Sequence, residues 1–285
     1  MNTPALNLKL LRHRLRRATA RLRHGPALDG APVLFANAFP KSGTHLLVQI
    51  LKAVPRLGPA VDSGLPAIAM YEGENGAPRP IAAVLRDLAR MRPGDVAFGH
   101  LHALPEITAA LDRSNAAVFF LYRDLRDAAV SHAHYVTEIE TDHVHHAHYR
   151  SLPDFDARLR TSILGRPELG GLFPDIGARF APYLGWFDAP GVLPLRFEEL
   201  IKDRKSKIEN LLDHLEIFDF RSSILDRPKA IDLLMASVDP ARSPTFRTGK
   251  TGGWRARFSE EHKALFKEVA GELLIELGYE EDLSW

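Results

Sequence analysis

The stretch Val33-Leu-Phe-Ala-Asn-Ala-Phe-Pro-Lys41-Ser-Gly-Thr44-His-Leu-Leu-Val-Gln-Ile-Leu51 decides the fold. Residues 33–38 read as a buried strand, Pro40-Lys41-Ser42-Gly43-Thr44 as a tight turn, and 44–53 as an apolar helix. Strand, turn and helix in that order aim the unsatisfied N–H groups of a helix N-terminus at one point, together with one ammonium and two hydroxyls. A phosphate or sulfate group is the natural occupant. The turn is not a Walker A loop, in which the lysine directly follows the last glycine. Here Lys41 precedes Gly43 by two residues, and Thr44 and His45 follow it. The loop therefore reads as an oxyanion cradle outside the usual magnesium-nucleotide design.

Outward from this loop, strands and helices alternate. Residues 55–80 are rich in Gly and Pro and read as loop, followed by a short helix over 81–91. Asp95–His102 reads as a strand closed by Leu104-Pro105, with a helix at about 105–112. Ala116–Tyr122 is apolar throughout, as a strand buried on both faces should be. A helix is expected over 124–137. Residues 138–182 are polar, His-rich and interrupted by Pro and Gly, and read as a surface insertion that covers a pocket. A further strand is expected over 192–197, with Pro194 pointing to a sheet edge. Helices over 206–215 and 260–277 follow, the last one capped by Ser259 and stopped at Gly278. The pattern predicts an α/β fold, a P-loop-like doubly wound sheet with central parallel strands flanked by helices. Its ligand should lie beyond the carboxyl ends of the strands, where residues 39–44 and Arg123 fall. There is no internal repeat, and the expected organisation is a basic arm over 1–30 followed by one domain over 31–285.

Composition narrows the function. The 285 residues carry 37 Lys+Arg against 36 Asp+Glu, so no global nucleic-acid signature is present. The absence of cysteine excludes disulfides, thiolate catalysis and cysteine-ligated zinc. It fits a reducing cytosol, and a cytoplasmic protein is the expectation. No apolar run approaches the roughly 18–20 residues of a spanning helix. The outlier is the arm, where Lys9, Arg12, Arg14, Arg16, Arg17, Arg21 and Arg23 occur without an acid while Leu11, Leu15, Ala18 and Leu22 recur at helical spacing. A solvated or partly frayed basic helix is the first reading. Peripheral attachment to an anionic membrane is the second.

Two further segments carry chemistry. Phe120-Leu-Tyr-Arg123-Asp-Leu-Arg-Asp-Ala-Ala-Val-Ser131 leaves Arg123 at a strand tip, with Ser131 eight residues later, about two helical turns on. Arg123 suits a bidentate contact with an oxyanion, and pairing with Asp127 is the alternative. Phe246-Arg-Thr-Gly-Lys-Thr-Gly-Gly-Trp254 is glycine-rich with Arg247 and Lys250, and its N–H groups suit a second anion.

In this order the three segments resemble the sulfotransferases that use 3′-phosphoadenosine 5′-phosphosulfate (PAPS), over nearly all the chain after residue 32. Pro40-Lys41-Ser42-Gly43-Thr44 is similar to the family's 5′-phosphosulfate loop. Arg123 and Ser131 match its 3′-phosphate pair, and Arg247, Gly249, Gly252 and Trp254 match its R-x-G-x-x-G-x-W pattern. Arg196-Phe-Glu-Glu-Leu200 resembles the segment that usually reads Y-E-D-L. The resemblance implies PAPS as co-substrate without a required metal, and sulfuryl transfer to a hydroxyl of a sugar, lipid, alcohol or phenol by in-line displacement. It implies that Lys41 stabilises the bridging oxygen and that Ser42, Gly43, Thr44, His45 and Leu46 surround the 5′ end and the base. Arg123, Ser131, Phe197, Arg247, Thr248 and Gly249 complete the donor site.

The same resemblance asks for a histidine base on the strand holding Phe98-Gly-His100-Leu-His102. Side chains alternate along a strand, so both imidazoles face one side. The alignment favours His100, with His102 the fallback. Departures from the pattern mark a divergent, bacterial-type member. Leu46 stands where the family has an adenine-stacking tryptophan, His45 replaces a loop threonine, Phe98 replaces a lysine, and Phe197 replaces a tyrosine. His132, His134, His143, His145, His146 and His148 do not follow closed-zinc spacing and read as solvated or acceptor-lining side chains. Tyr135, Tyr149 and Phe155 are candidates for the acceptor pocket. Two other classes remain open at this point, a kinase acting on ATP and a catalytically silent nucleotide-binding scaffold.

Overall fold

The computed structural model describes residues 4–72, 76–224, 226–242, 249 and 251–285. Strands run over Val33–Ala38 (β1), Val61–Asp62 (β2), Ile68–Ala69 (β3), Tyr71–Glu72 (β4), Ala77–Pro78 (β5), Asp95–His100 (β6), Ala116–Tyr122 (β7) and Val192–Arg196 (β8). Helices run over Pro4–His24 (α1), Thr44–Ala53 (α2), Ile81–Leu88 (α3), Pro105–Arg113 (α4), Leu125–His134 (α5) and His146–Ser151 (α6). They continue over Phe155–Leu164 (α7), Ile176–Phe180 (α8), Phe197–Lys202 (α9), Arg204–Ile217 (α10), Arg227–Met235 (α11) and Glu260–Glu276 (α12). The main sheet has the order β2-β6-β1-β7-β8, with β3 also pairing β6, and every pairing in it is parallel.

Side-chain alternation explains why β1 and β7 occupy the middle. Val33 and Phe35 join Val118 and Phe120 on one face, against α4, α5, α7 and α12. Leu34, Ala36 and Ala38 join Ala117, Phe119 and Leu121 on the other, against α2, α10 and α11. Strands covered on both faces read as near-continuous apolar runs, and the one polar residue of β1, buried Asn37, bonds the backbone of Leu101. Each fully buried Leu or Phe contributes about 1.5–3 kcal/mol. At the edge, β8 accommodates Pro194, which faces Phe120 in the register.

The strand order reverses at β1. From β1 the chain passes through α2 to β2 and on through α3 to β6, placing both strands on one side of β1, then through α4, on the face opposite α2, to β7 on the other side. The crevice at the carboxyl end of β1 is thus the ligand-binding position of a doubly wound sheet.

Three expectations need correction. The strand expected over 95–102 ends at His100, because Leu101 gives its N–H and C=O to the Asn37 side chain (2.8 and 2.9 Å) rather than to a neighbouring strand. Residues 55–80 are not all loop, since β2 and β3 extend the sheet beyond β6. Nor are residues 138–182 a surface insertion. Tyr149, Leu159, Ile163 and Phe180 are wholly buried there, and α7 packs on α5 and α12.

The basic arm forms α1, and its inner face is docked rather than frayed. Asp95, fully buried, accepts from His13 (2.9 Å), Arg17 (2.7 Å) and the Arg92 N–H (2.9 Å). Among the described residues no helix is long and apolar enough to cross a membrane.

Candidate active site

The loop after β1 is held by its own backbone. Phe39 N–H donates to Leu121 O (3.1 Å), and Ser42 N–H donates to Phe39 O (3.2 Å). Gly43 caps α2 at φ +94°, and a Cβ there would meet the Phe197 ring at 2.5 Å. Only glycine satisfies both the left-handed backbone and that close approach. No side chain caps α2, so its first N–H groups remain for a ligand. Lys41 is non-glycine at φ +68°, a conformation that costs about 1–2 kcal/mol. It turns the ammonium to within 3.4 Å of the Tyr135 ring centroid, on the wall of the cavity. Ser42 is fully buried, and its Oγ has no hydrogen-bond partner among the described residues.

The end of β6 fixes an imidazole beside this loop. His100 Nδ1 lies 2.7 Å from Ala38 O. A carbonyl only accepts, so Nδ1 carries the proton and Nε2 presents a lone pair. Burial lowers the His100 pKa, the Ala38 hydrogen bond partly opposes this, and the nearby Lys41 and His45 lower it further. The neutral, proton-accepting form is therefore favoured. Gly99 permits the geometry, because a Cβ there would lie 2.2 Å from Ile68 O. His102, beyond the strand, has a different setting. Its ring meets the edges of Tyr71 (5.8 Å) and Tyr183 (5.1 Å), and burial lowers its pKa.

At the β7–α5 junction, Arg123 lies over the Phe197 ring (4.6 Å) and donates from Nη2 to Asp127 Oδ2 (3.1 Å). The buried Asp127 carboxylate also accepts from Gly252 N–H (2.8 Å) and Trp254 N–H (2.9 Å). One carboxylate thus ties the arginine to a glycine-rich segment more than a hundred residues away. Arg123 pairs with Asp127, the alternative reading, and it also lines the cavity. Sequence spacing offered the i,i+4 pairing, but nothing local signalled the bonds to Gly252 and Trp254.

A single cavity of about 1260 Å³ joins these groups. Lys41, Gly43, Thr44, His45, Leu46, Arg123, Ser131, Phe197 and Gly249 line it together with His100 and His102. Ser42 stands behind the wall rather than in it. Arg247, Thr248 and Lys250 lie outside the described residues. Leu46, Phe197, Ile201 and Val238 give the wall next to the loop an apolar character.

The rest of the wall comes from residues outside the three motifs, among them histidines read from sequence as solvated or acceptor-lining. Tyr71, Tyr183, Arg179, His132, His143 and His145 all line it. Tyr135 lines it as expected, whereas Tyr149 is buried behind it and Phe155 packs on His134. Arg179 stacks on Phe173 (4.3 Å) and donates from Nη2 to Ser162 O and from Nε to Asp175 O (3.4 Å). Among the described residues no carboxylate lies within ion-pair distance of it, and burial lowers its pKa to about 10. His143 and His145 are lowered to about 4, first by burial and then by neighbouring cations and imidazoles, partly opposed at His143 by Glu140. His146 bonds Val136 O (2.7 Å) instead. Among the described residues no three His, Asp or Glu side chains converge as a metal site.

A doubly wound parallel sheet with a cationic loop and an uncapped helix at its switch point defines an α/β enzyme that binds anionic nucleotide groups. Residues 32–278 match the model of the sulfotransferase domain, and the chain belongs to that family, the PAPS-dependent class its three motifs resemble. Among solved structures, the crystal structure of mouse sulfotransferase SULT7A1 complexed with PAP is similar to it, with a TM-score of 0.58 and 17% identity. That match covers 87% of this chain and 88% of the mouse chain. A search of curated protein sequences found no match.

Proposed function

We propose that the cavity binds PAPS along the Lys41 loop and transfers its sulfuryl group to an acceptor hydroxyl, with His100 as the base. The observation that carries this reading is that one cavity unites Lys41, Thr44, Arg123, Ser131 and Gly249 with the His100 imidazole. The residues suit the donor. The uncapped α2 N-terminus and the Lys41 ammonium on the cavity wall fit the 5′ phosphate end. Arg123 and Ser131 fit a 3′-phosphate, and Leu46, Phe197, Ile201 and Val238 fit the adenine in place of the missing tryptophan. When bound, PAPS supplies an activated sulfuryl group on a phosphate leaving group.

The chain's own residues then divide the work. Lys41 places a positive charge where the leaving oxygen becomes anionic, and positioning with electrostatics supplies most of the barrier reduction. His100 Nε2 accepts the acceptor's hydroxyl proton, while Nδ1–H, anchored on Ala38 O, keeps the ring in that tautomer. Phe197 and Asp127 orient Arg123 from two sides. A kinase reading fits less well, because the lysine precedes Gly43 and Arg123 with Ser131 prepares a second phosphate site.

The acceptor side favours a hydroxylated molecule that also bears an anionic group. Arg179 adds charge there with no carboxylate within ion-pair distance among the described residues, Asp175 acting on it only from farther away, and the aromatic rings of Tyr71 and Tyr183 offer flat apolar contact.

Thermal shift tests the donor assignment. Adenosine 3′,5′-bisphosphate should raise the melting temperature well beyond AMP at equal concentration, by mass action on the folded state. Equal shifts would remove the 3′-phosphate site. A donor-specific shift without transfer from labelled PAPS to any hydroxyl acceptor would favour the silent scaffold.

A further inference from the structure

We propose that α1 is a membrane-docking helix that seats this enzyme on anionic lipid surfaces. It lies outside residues 32–278, so the sulfotransferase domain proper does not account for it. Its inner face is committed to the protein: His13 and Arg17 hold buried Asp95, Ala20 is buried, and Leu10 packs on the core. The opposite face carries Leu8, Leu11, Leu15 and Leu22, which are 49, 54, 61 and 90% exposed. At 3.6 residues per turn these four lie within about 60° of arc, a continuous leucine stripe. A solvated helix has no reason to align its leucines away from the protein it is docked on.

The flanks identify the occupant. Arg16, Arg17 and Arg21 pair with Asp62, Asp95 and Asp29. Lys9, Arg12, Arg14 and Arg23, beside the stripe, have no acidic partner among the described residues and are exposed. The helix contains no acid at all. Apolar side chains bordered by cations on both sides match an interface with acyl chains beneath and anionic headgroups at the rim. A second copy of the chain would bring two unneutralised basic faces together. The anchored inner face sets the depth: the helix lies on the bilayer plane and holds the enzyme at its surface.

The test is co-sedimentation of the full-length protein with phosphatidylcholine vesicles, with and without phosphatidylserine. Binding should require phosphatidylserine, weaken with added salt, and fall about tenfold or more in a Leu11→Glu/Leu15→Glu variant. An Arg12→Glu/Arg14→Glu variant should fall similarly. Both variants should keep the wild-type melting temperature and its shift with adenosine 3′,5′-bisphosphate, because they touch neither the core nor the cavity. The proposal is overturned if wild type ignores anionic vesicles, or if the leucine variant binds them equally well. Self-association of wild type that the leucine variant abolishes, without lipid binding, would assign the stripe to a dimer instead.

Discussion

The two halves of the cavity are built in different ways. The half around Lys41, Arg123 and Ser131 consists of strand-to-helix junctions, in which a few consecutive residues set loop geometry and charge together. The half around Arg179, Tyr183 and the histidines is assembled from side chains of β4, α5, the 143–145 turn, α8 and the turn after it. Backbone N–H groups at helix ends recognise a phosphate whatever else surrounds them. Selection of one acceptor needs side chains brought from several directions. A donor site of the first kind leaves a legible motif, and an acceptor site of the second kind does not.

The largest expected effect separates the two histidines where the halves meet. His100→Ala should lower kcat by about 10²–10⁴-fold, the range of a lost general base, while His102→Ala should cost far less. The acid limb of kcat/KM in wild type should fall below pH 6.5, since burial and nearby cations lower the His100 pKa. Activity is then retained on the basic side and lost as the pH drops through that lowered value. A larger loss in His102→Ala would transfer the role to the imidazole between Tyr71 and Tyr183.

Asp127 gives a smaller effect confined to the donor half. Asp127→Ala removes one acceptor from Arg123 and the carboxylate that accepts from the N–H groups of Gly252 and Trp254, at about 1–3 kcal/mol for each buried N–H left unsatisfied. The melting temperature should drop, and KM for PAPS should rise about tenfold or more while KM for the acceptor stays put. Asp127→Glu or Asp127→Asn should recover part of it. An unchanged donor KM would reduce Asp127 to a purely structural strut.

Arg179 probes the other half. Arg179→Gln should raise KM about tenfold for acidic hydroxyl acceptors, the loss of one charge-assisted hydrogen bond, and leave their neutral esters unaffected. The shift with adenosine 3′,5′-bisphosphate should persist. Equal losses for acid and ester would remove the anionic acceptor and leave the donor assignment intact.

Much of the fold was legible because β1 and β7 are apolar at every position but Asn37, as strands covered on both faces require. Lys41 and Arg123 were readable for a related reason, since each follows the end of such a strand, whereas Ser131 and Gly249 stood out only through the family resemblance. The strand carrying His100 was read two residues too long, since Asn37 takes over the backbone of Leu101 from 64 positions away. Residues 138–182 read as surface because their polar and histidine content hides Tyr149, Leu159, Ile163 and Phe180, which are buried only once the stretch folds against α5 and α12.

By itself the amino-acid order determined the parallel sheet and the strand-turn-helix loop, consequences of local periodicity and backbone geometry, and its motifs carried the resemblance to the family. Tertiary structure alone decided that His100 keeps its proton on Nδ1, that Asp127 joins two motifs, and that the leucines of α1 face outward. Each of these depends on a partner brought close by packing, and distance along the chain carries no record of that approach.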